Sequence, residues 1–209
     1  MVKAVLFDMD GVLAFTERYY RQRRVEYLRG QGIELSGADD WTGVHDDESW
    51  QRCVPDDAVL RERLRAGYDR FAAERPTPWA ELGNRHAHPT FVALRGRGVR
   101  TAICSSSPRP LIEECMGALD IDGLTDYFIS GDECVGHKPD PEIYLRAMRR
   151  LAVRPEEAIV VEDSPTGIRA GKAAGALVCA LRQPDGTPLD QREADVVLDD
   201  LFELVDLIA

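Results

Sequence analysis

The segment AVLFDMDG, residues 4–11, is an apolar run that ends in two carboxylates and a glycine. In an extended strand, residues i and i+2 point to the same side, so Asp8 and Asp10 leave the end of the run together. An isolated D-x-D-G is commonly just a turn capped by aspartate, but burying two acids side by side is costly unless they bind a cation or take part in chemistry. We therefore predict a first strand that carries both acids to its carboxyl end, where open α/β sheets bind their ligands.

Short apolar or β-branched runs alternate with helical patterns through most of the remaining chain. Several of these runs are apolar without alternation, which is typical of strands buried on both faces. The pattern predicts an α/β fold in which helices wrap a parallel sheet. The further strands are predicted at residues 99–104, 126–130, 158–161, 176–181 and 194–198.

The stretch from 15 to 88 interrupts this alternation. It is rich in Arg, Glu and Asp and contains no strand pattern, and its apolar stripe ends at Pro76-Thr77-Pro78. One apolar stripe at helical spacing runs through it, at Leu60, Leu64, Tyr68 and Phe71. We predict a small all-helical domain over residues 15–88, inserted into a catalytic core formed by residues 1–14 and 89–209.

The composition excludes several classes of protein. A net charge of −11 argues against nonspecific binding to nucleic acid or to an anionic membrane. No apolar run approaches the roughly 18 residues that span a bilayer, and the first residues lack the pattern of a signal peptide. The five cysteines form no C-x-x-C pair, which argues against structural zinc and predicts a protein of the reducing cytoplasm. An anionic substrate would need a metal cation or a local basic group.

Polar residues also follow two later strands, as Asp8 and Asp10 follow the first, and another polar residue precedes a predicted helix. Ser105, Ser106 and Ser107 follow the second strand, and Glu162 and Asp163 follow the fourth. Lys138 precedes the helix that begins near Asp140-Pro141. Each feature alone has an ordinary explanation, since serines before a proline often cap a helix and a loop lysine is usually solvated. Their order and their positions at strand ends make a shared site the stronger interpretation.

The succession strand–DxDG, strand–S, K-P-D-P and strand–EDS-x-x-G resembles the four motifs of the haloacid-dehalogenase-like superfamily. The resemblance covers about residues 1–14 and 90–180. It implies a Rossmann-like three-layer core with a parallel sheet. The helical insert after the first strand resembles the cap of the β-phosphoglucomutase and phosphoglycolate phosphatase groups.

The resemblance implies a role for each acid. Asp8 would attack phosphorus and form an aspartyl-phosphate, and Asp10 would act as general acid and then as general base. Mg²⁺ would be held by Asp8, the backbone carbonyl of Asp10, and Asp163, with Glu162 supporting the metal directly or through water.

The resemblance also assigns the groups that bind the phosphate. Ser105 would donate a hydrogen bond to a phosphoryl oxygen, with Ser106 beside it. Lys138 would neutralise charge on the phosphate and on Asp8. The substrate would be a small phosphorylated metabolite, and many capped relatives are monomers, which is the state expected here.

Two other enzyme classes and a non-catalytic role are alternatives to a phosphatase. Members that cleave carbon–halogen bonds lack an acid equivalent to Asp10. β-Phosphoglucomutases differ from this chain at Phe15 and Tyr20, where related sequences have Asp and His. They also differ at Asp46, where a loose alignment places their arginine. A mutase must hold a second phosphate, so these departures favour hydrolysis over the mutase alternative. A non-catalytic relative is disfavoured because both Asp8 and the metal-binding acid are present.

Several side chains of the insert and of its junction with the core remain open in function. His45 is a candidate for contact with substrate or an ordinary loop residue, and His86 and His88 form an H-x-H without an evident third metal ligand. Five aromatic residues are candidates for an apolar leaving-group pocket or, more simply, for packing within the insert: Phe15, Tyr19, Tyr20, Trp41 and Trp50.

Overall fold

A computed structural model describes residues 1–34 and 46–208. Of the residues discussed above, Trp41 and His45 lie outside this range, as does the side chain of Asp46. The chain forms two compact units, one of residues Met1–Phe15 and Trp79–Ala209 and the other of residues Thr16–Pro78.

The larger unit contains a sheet of six strands. In chain order the strands are β1 (Ala4–Phe7), β2 (Arg100–Ser105), β3 (Tyr127–Ser130), β4 (Ala158–Glu162), β5 (Leu177–Leu181) and β6 (Val196–Leu198). Their spatial order is β3-β2-β1-β4-β5-β6, and every neighbouring pair is parallel. Because the strands are parallel, all their carboxyl ends lie on one edge of the sheet. Each strand predicted from the sequence overlaps an observed one.

Helices cover both faces of this sheet. The helices of the larger unit are α4 (Trp79–Leu82), α5 (Ala87–Gly96), α6 (Arg109–Ala118), α7 (Glu142–Arg150), α8 (Pro165–Ala173) and α9 (Glu203–Leu207), with 3₁₀ turns at Asp122–Leu124, Gly131–Glu133 and Pro155–Glu157.

Alternate residues of β1 separate into two apolar cores, which shows the three layers directly. Phe7 packs in a cluster with Phe91 of α5 and Ile112 of α6. Leu6 packs in a second cluster with Tyr144 of α7 and Ile168 of α8. The predicted α/β fold with a parallel sheet and a three-layer core is confirmed.

All the regular secondary structure in the described part of the smaller unit is helical. Its helices are α1 (Glu17–Gly30), α2 (Asp46–Cys53) and α3 (Ala58–Ala73). They share an apolar core that is dominated by aromatic side chains, with Trp50 and Tyr27 in contact with Tyr68. Leu64 and Tyr68 of the predicted apolar stripe are buried in this core. None of the described helices has the length and apolar character needed to cross a membrane.

The junction between the units differs from the predicted one. The sequence pattern predicts residues 79–88 within the inserted domain, but Trp79 packs in the apolar core of the larger unit. Backbone hydrogen bonds of 2.8 Å join Phe15 N–H to Leu82 O and Asn84 N–H to Leu13 O. These bonds tie the returning chain to the segment after β1, so the boundary lies at Pro78 rather than at His88.

Candidate active site

The ends of three adjacent strands bring most of the predicted site residues to one edge of the sheet. Asp8 follows β1 directly, and its backbone N–H donates to Val161 O at 2.9 Å. Ser105 is the last residue of β2, and Glu162 is the last residue of β4. Because β1 lies between β2 and β4, these side chains converge around Asp8.

Lys138 enters this group from the loop before α7. Its Nζ lies 2.6 Å from Asp8 Oδ1 and 2.6 Å from Glu162 Oε1, and it donates a third hydrogen bond to Cys104 O at 3.1 Å. The Lys138 and Glu162 side chains are 6% and 1% exposed, so these ion pairs are shielded from water. A buried lysine of this kind keeps its position only because both carboxylates compensate its charge.

The charges in this cluster perturb one another. Burial raises the pKa of Asp8 well above its ordinary value, Lys138 counteracts this, and Glu162 and Asp10 raise it further. Burial alone would lower the pKa of Lys138, but the charges of Asp8 and Glu162 outweigh burial and raise it. Lys138 is therefore a permanent cation at neutral pH. Asp8 lies where a further positive charge would favour its ionised form.

Three acids of the cluster are spaced for a metal ion. One carboxylate oxygen from each of Asp8, Glu162 and Asp163 lies within 4.8 Å of the other two. Hard cations such as Mg²⁺ prefer oxygen ligands of this kind. Gly11 makes room for the cluster, because its φ is +87° and a Cβ atom there would lie 2.0 Å from Asp163 Oδ2. The donor set therefore fits a divalent cation.

Glu162 differs from the other two acids because its oxygens are already in use. Oε1 accepts hydrogen bonds from Lys138 and from Tyr144 Oη, both at 2.6 Å. Oε2 lies 3.1–3.4 Å from three further donors, Asp163 N, Ser164 N and Ser164 Oγ. A carboxylate offers about four lone-pair positions, so five donors saturate it. In this arrangement Glu162 supports Lys138, and its role at a metal, direct or through water, stays a prediction.

Serines of the second motif surround Asp10. Ser107 Oγ donates to Asp10 Oδ2 at 2.7 Å, and Ser105 Oγ lies 3.4 Å from the same oxygen. Ser105 is completely buried, and its Oγ also accepts the Ser107 N–H at 3.0 Å. Ser106 is half-buried, with its backbone against Gly131. The structure thus brings Asp10 to Ser105 as predicted, and it adds Ser107, which the sequence analysis left without a role.

Two further contacts to the site were not predicted. Tyr144 is buried in α7, and its hydroxyl donates a hydrogen bond to Glu162 Oε1. The helical pattern of the sequence does not distinguish it from an ordinary core tyrosine. Gln183 lies in a stretch whose Pro-Asp-Gly suggests only a surface loop, yet its amide reaches both Gly11 and Asp163. The only hint in the sequence was the position of that loop after a strand.

His86, His88 and three of the aromatic candidates make contacts outside this cluster. His86 pairs with Asp200 and His88 Nδ1 lies 2.7 Å from Asp120 O, so these two histidines have separate partners. Tyr19 Oη donates to Arg75 O at 3.2 Å. Trp50 is buried in the core of the helical unit, and Phe15 packs against the core of the larger unit.

A family model, two related proteins and a solved structure match this chain. The model of the haloacid dehalogenase-like hydrolase family matches residues 2–175. The chain is 32% identical over 178 residues to the phosphorylated carbohydrates phosphatase of Thermotoga maritima, covering 83% of this chain and 82% of that one. It is 33% identical over 208 residues to the validoxylamine A 7'-phosphate phosphatase of Streptomyces hygroscopicus subsp. limoneus, covering 98% and 96%. The crystal structure of CbbY from Rhodobacter sphaeroides in complex with phosphate matches with a TM-score of 0.80 and 26% identity, covering 98% and 96%.

Proposed function

This chain belongs to the haloacid dehalogenase-like hydrolase family, and we propose that it is a Mg²⁺-dependent phosphatase that hydrolyses a phosphate monoester through an aspartyl-phosphate on Asp8. The observation that carries the proposal is the buried contact of Asp8 Oδ1 with Lys138 Nζ at 2.6 Å, beside the acids Glu162 and Asp163. This contact holds the carboxylate of Asp8 at the end of β1 with a cation alongside it. A phosphate would have to approach this same place to be attacked.

Asp8 and Asp10 divide the chemistry between them. An oxygen of Asp8 attacks phosphorus, and the bond from phosphorus to the ester oxygen breaks as Asp10 transfers its proton to the leaving alkoxide. Asp10 then takes a proton from the water that attacks phosphorus, and the bond to Asp8 breaks to release orthophosphate. The hydrogen bonds of Ser107 and Ser105 to Asp10 Oδ2 orient the carboxyl group for both transfers.

The negative charge of the phosphate is met by Lys138 and by a metal. Asp8, Asp163 and the backbone carbonyl of Asp10 would hold Mg²⁺, which when bound would neutralise charge on the phosphoryl oxygens. Lys138 supplies a fixed positive charge next to Asp8, while Ser105 and Ser106 contribute hydrogen bonds at the end of β2. These groups answer the electrostatic problem that a net charge of −11 sets for an anionic substrate.

A phosphorylated carbohydrate is the substrate class that we propose. The names of two similar proteins specify phosphatases that act on phosphorylated carbohydrates and on validoxylamine A 7'-phosphate. We assign selection of the leaving group to the helical unit, residues 16–78, in the role of a cap domain. We expect a monomer in the cytoplasm, and size-exclusion chromatography tests the first of these expectations.

A panel of sugar phosphates tests the proposal, with orthophosphate release measured in Mg²⁺ and in EDTA. We expect release in Mg²⁺ only, and no release by Asp8→Asn. Beryllofluoride, which mimics a phosphoryl group on aspartate, should bind the parent protein and not the variant. A protein that is inert across the panel and binds no beryllofluoride would refute the proposal. Conversion of β-glucose 1-phosphate to glucose 6-phosphate faster than orthophosphate release would instead identify a mutase.

A further inference from the structure

The loop after β5 sends one side chain back to the acidic cluster. Residues 184–188 of this loop are exposed, whereas Gln183 is half-buried. Gln183 Nε2 donates to Gly11 O at 3.0 Å and to Asp163 Oδ2 at 3.0 Å. A single amide group therefore connects the turn after β1 with the acid after β4.

We infer that Gln183 is a positioning residue that sets the orientation of the Asp163 carboxylate for a divalent cation. A carboxylate on a short side chain can rotate, and a donor fixed on one oxygen also determines where the other oxygen points. Gly11 also lies against this oxygen, since a Cβ atom at Gly11 would be 2.0 Å from Asp163 Oδ2. Asp163 Oδ2 is thus close to both Gly11 and the Gln183 amide, and a fixed Oδ2 also fixes the direction of Oδ1.

The chemical nature of the donor supports this role. A lysine or arginine at position 183 would place a positive charge beside Asp163 and compete there with a metal. An amide is uncharged, so it orients the carboxylate and leaves its negative charge available to a cation. Partners of metal ligands in the outer shell commonly contribute about 10- to 100-fold to metal affinity.

A second glutamine in the loop makes it possible to distinguish orientation of the Asp163 carboxylate from anchoring of the loop backbone. Gln191 Nε2 donates to two backbone carbonyls, Asp163 O at 2.9 Å and Leu181 O at 2.8 Å. It holds the loop without touching the carboxylate of Asp163. The pair therefore offers matched variants within one loop, one affecting the carboxylate and one affecting only the backbone.

The inference rests on the proposed metal site. Mn²⁺ binding to the parent chain tests that site, and Mn²⁺ binding to variants of the chain tests the role of Gln183. We would titrate MnCl₂ without substrate and follow free Mn²⁺ by electron paramagnetic resonance. The variants are Gln183→Met, which keeps the length of the side chain and removes its donor, Gln191→Met, and Gln51→Met as a remote control. Should Gln183→Met fail to fold by circular dichroism, Gln183→Asn replaces it, because its amide is one methylene too short to reach both acceptors.

We expect Gln183→Met, or Gln183→Asn in its place, to raise the dissociation constant for Mn²⁺ about tenfold or more. Gln191→Met should raise it less than about threefold, and Gln51→Met should leave it unchanged. A dissociation constant within twofold of the parent protein for the position-183 variant would overturn the inference. An equal loss in Gln191→Met would also overturn it, because the effect would then belong to loop anchoring. If the parent protein bound no Mn²⁺, the proposed metal site itself would fail, and the inference with it.

Discussion

Lys138 in the larger unit and Arg23 in the helical unit are cations held in opposite ways. Lys138 is almost fully buried between the carboxylates of Asp8 and Glu162. Arg23 is half-buried among aromatic rings and neutral acceptors, with its Cζ 5.0–5.6 Å from the ring centres of Tyr19, Tyr20 and Tyr68. It donates to Tyr68 Oη at 3.1 Å and to Arg75 O at 2.9 Å.

The difference shows what each region requires of its cation. A lysine shared by carboxylates provides a fixed positive charge that can stabilise the negative charge of an incoming phosphate, which suits a reaction site. Aromatic faces and carbonyl oxygens hold a guanidinium without introducing an acid, which suits packing between helices. We therefore expect loss of Lys138 to act on turnover and loss of Arg23 to act on local stability.

Within this comparison, the largest expected effect is that of Lys138→Met on turnover. Removing a fixed charge that stabilises a transition state commonly lowers kcat by about 10²–10³-fold. We expect a loss of this size in orthophosphate release from the best substrate of the sugar phosphate panel. Circular dichroism should show a folded protein, because Asp8 and Glu162 can take up protons when their cation is removed. A kcat within threefold of the parent protein would contradict the role of Lys138.

Arg23→Met tests the other side of the comparison. Loss of two hydrogen bonds and of the contacts with three rings should destabilise the helical unit by about 2 kcal/mol. Hydrogen exchange of peptides from α1 and α3 should then accelerate about 30-fold, while exchange in the β-sheet and kcat stay nearly unchanged. Arg29→Met, at the exposed end of the same helix, is the control. A large fall in kcat without faster exchange would mean that Arg23 acts in the reaction instead.

Tyr144→Phe tests whether the residues that support Lys138 include Tyr144, which contacts it through Glu162. This change removes the hydroxyl that donates to Glu162 Oε1 at 2.6 Å and keeps the ring, which lies 5.0 Å from Lys138 Nζ. With Glu162 less firmly held, we expect the inhibition constant of orthophosphate to rise about tenfold, which corresponds to about 1.4 kcal/mol. Tyr127→Phe makes the same chemical change at the start of β3 and should have no effect. Unchanged inhibition in Tyr144→Phe would reduce Tyr144 to a packing residue.

The sequence predicted the sheet because its strands are short apolar runs whose ends carry the polar motifs. Parallel strands then bring those ends together, so the proximity of Asp8 and Glu162 could be anticipated, and the family resemblance added Lys138 to them, although their catalytic roles remain predictions. Tyr144 and Gln183 could not be anticipated, because their contacts depend on how a helix face and a loop fold back on the site. The boundary at Pro78 was missed for a similar reason: a helical pattern at Trp79 does not indicate which core the helix joins.

Gly67→Ala has the smallest expected effect and tests the aromatic core of the helical unit. Alanine stabilises a helix interior by about 1 kcal/mol over glycine, but a Cβ at Gly67 would lie 2.2 Å from Tyr27 Oη. The Tyr27 ring cannot withdraw without losing its contacts with Tyr68 and Phe71. We therefore expect Gly67→Ala alone to lower the stability of the helical unit by about 1 kcal/mol.

A double-mutant cycle with Tyr27→Phe shows whether the hydroxyl is the cause. In the Tyr27→Phe background the clashing oxygen is absent and the nearest ring carbon is 3.3 Å from the added Cβ, so the same alanine should become stabilising. Gly30→Ala, where an added Cβ meets nothing within 4 Å, controls for helix propensity. Hydrogen exchange of peptides from α1 and α3 measures all four proteins of the cycle. If Gly67→Ala has the same sign in both backgrounds, aromatic packing does not determine the stability of α3 against α1, and the contrast with the charge-paired site around Lys138 is weaker.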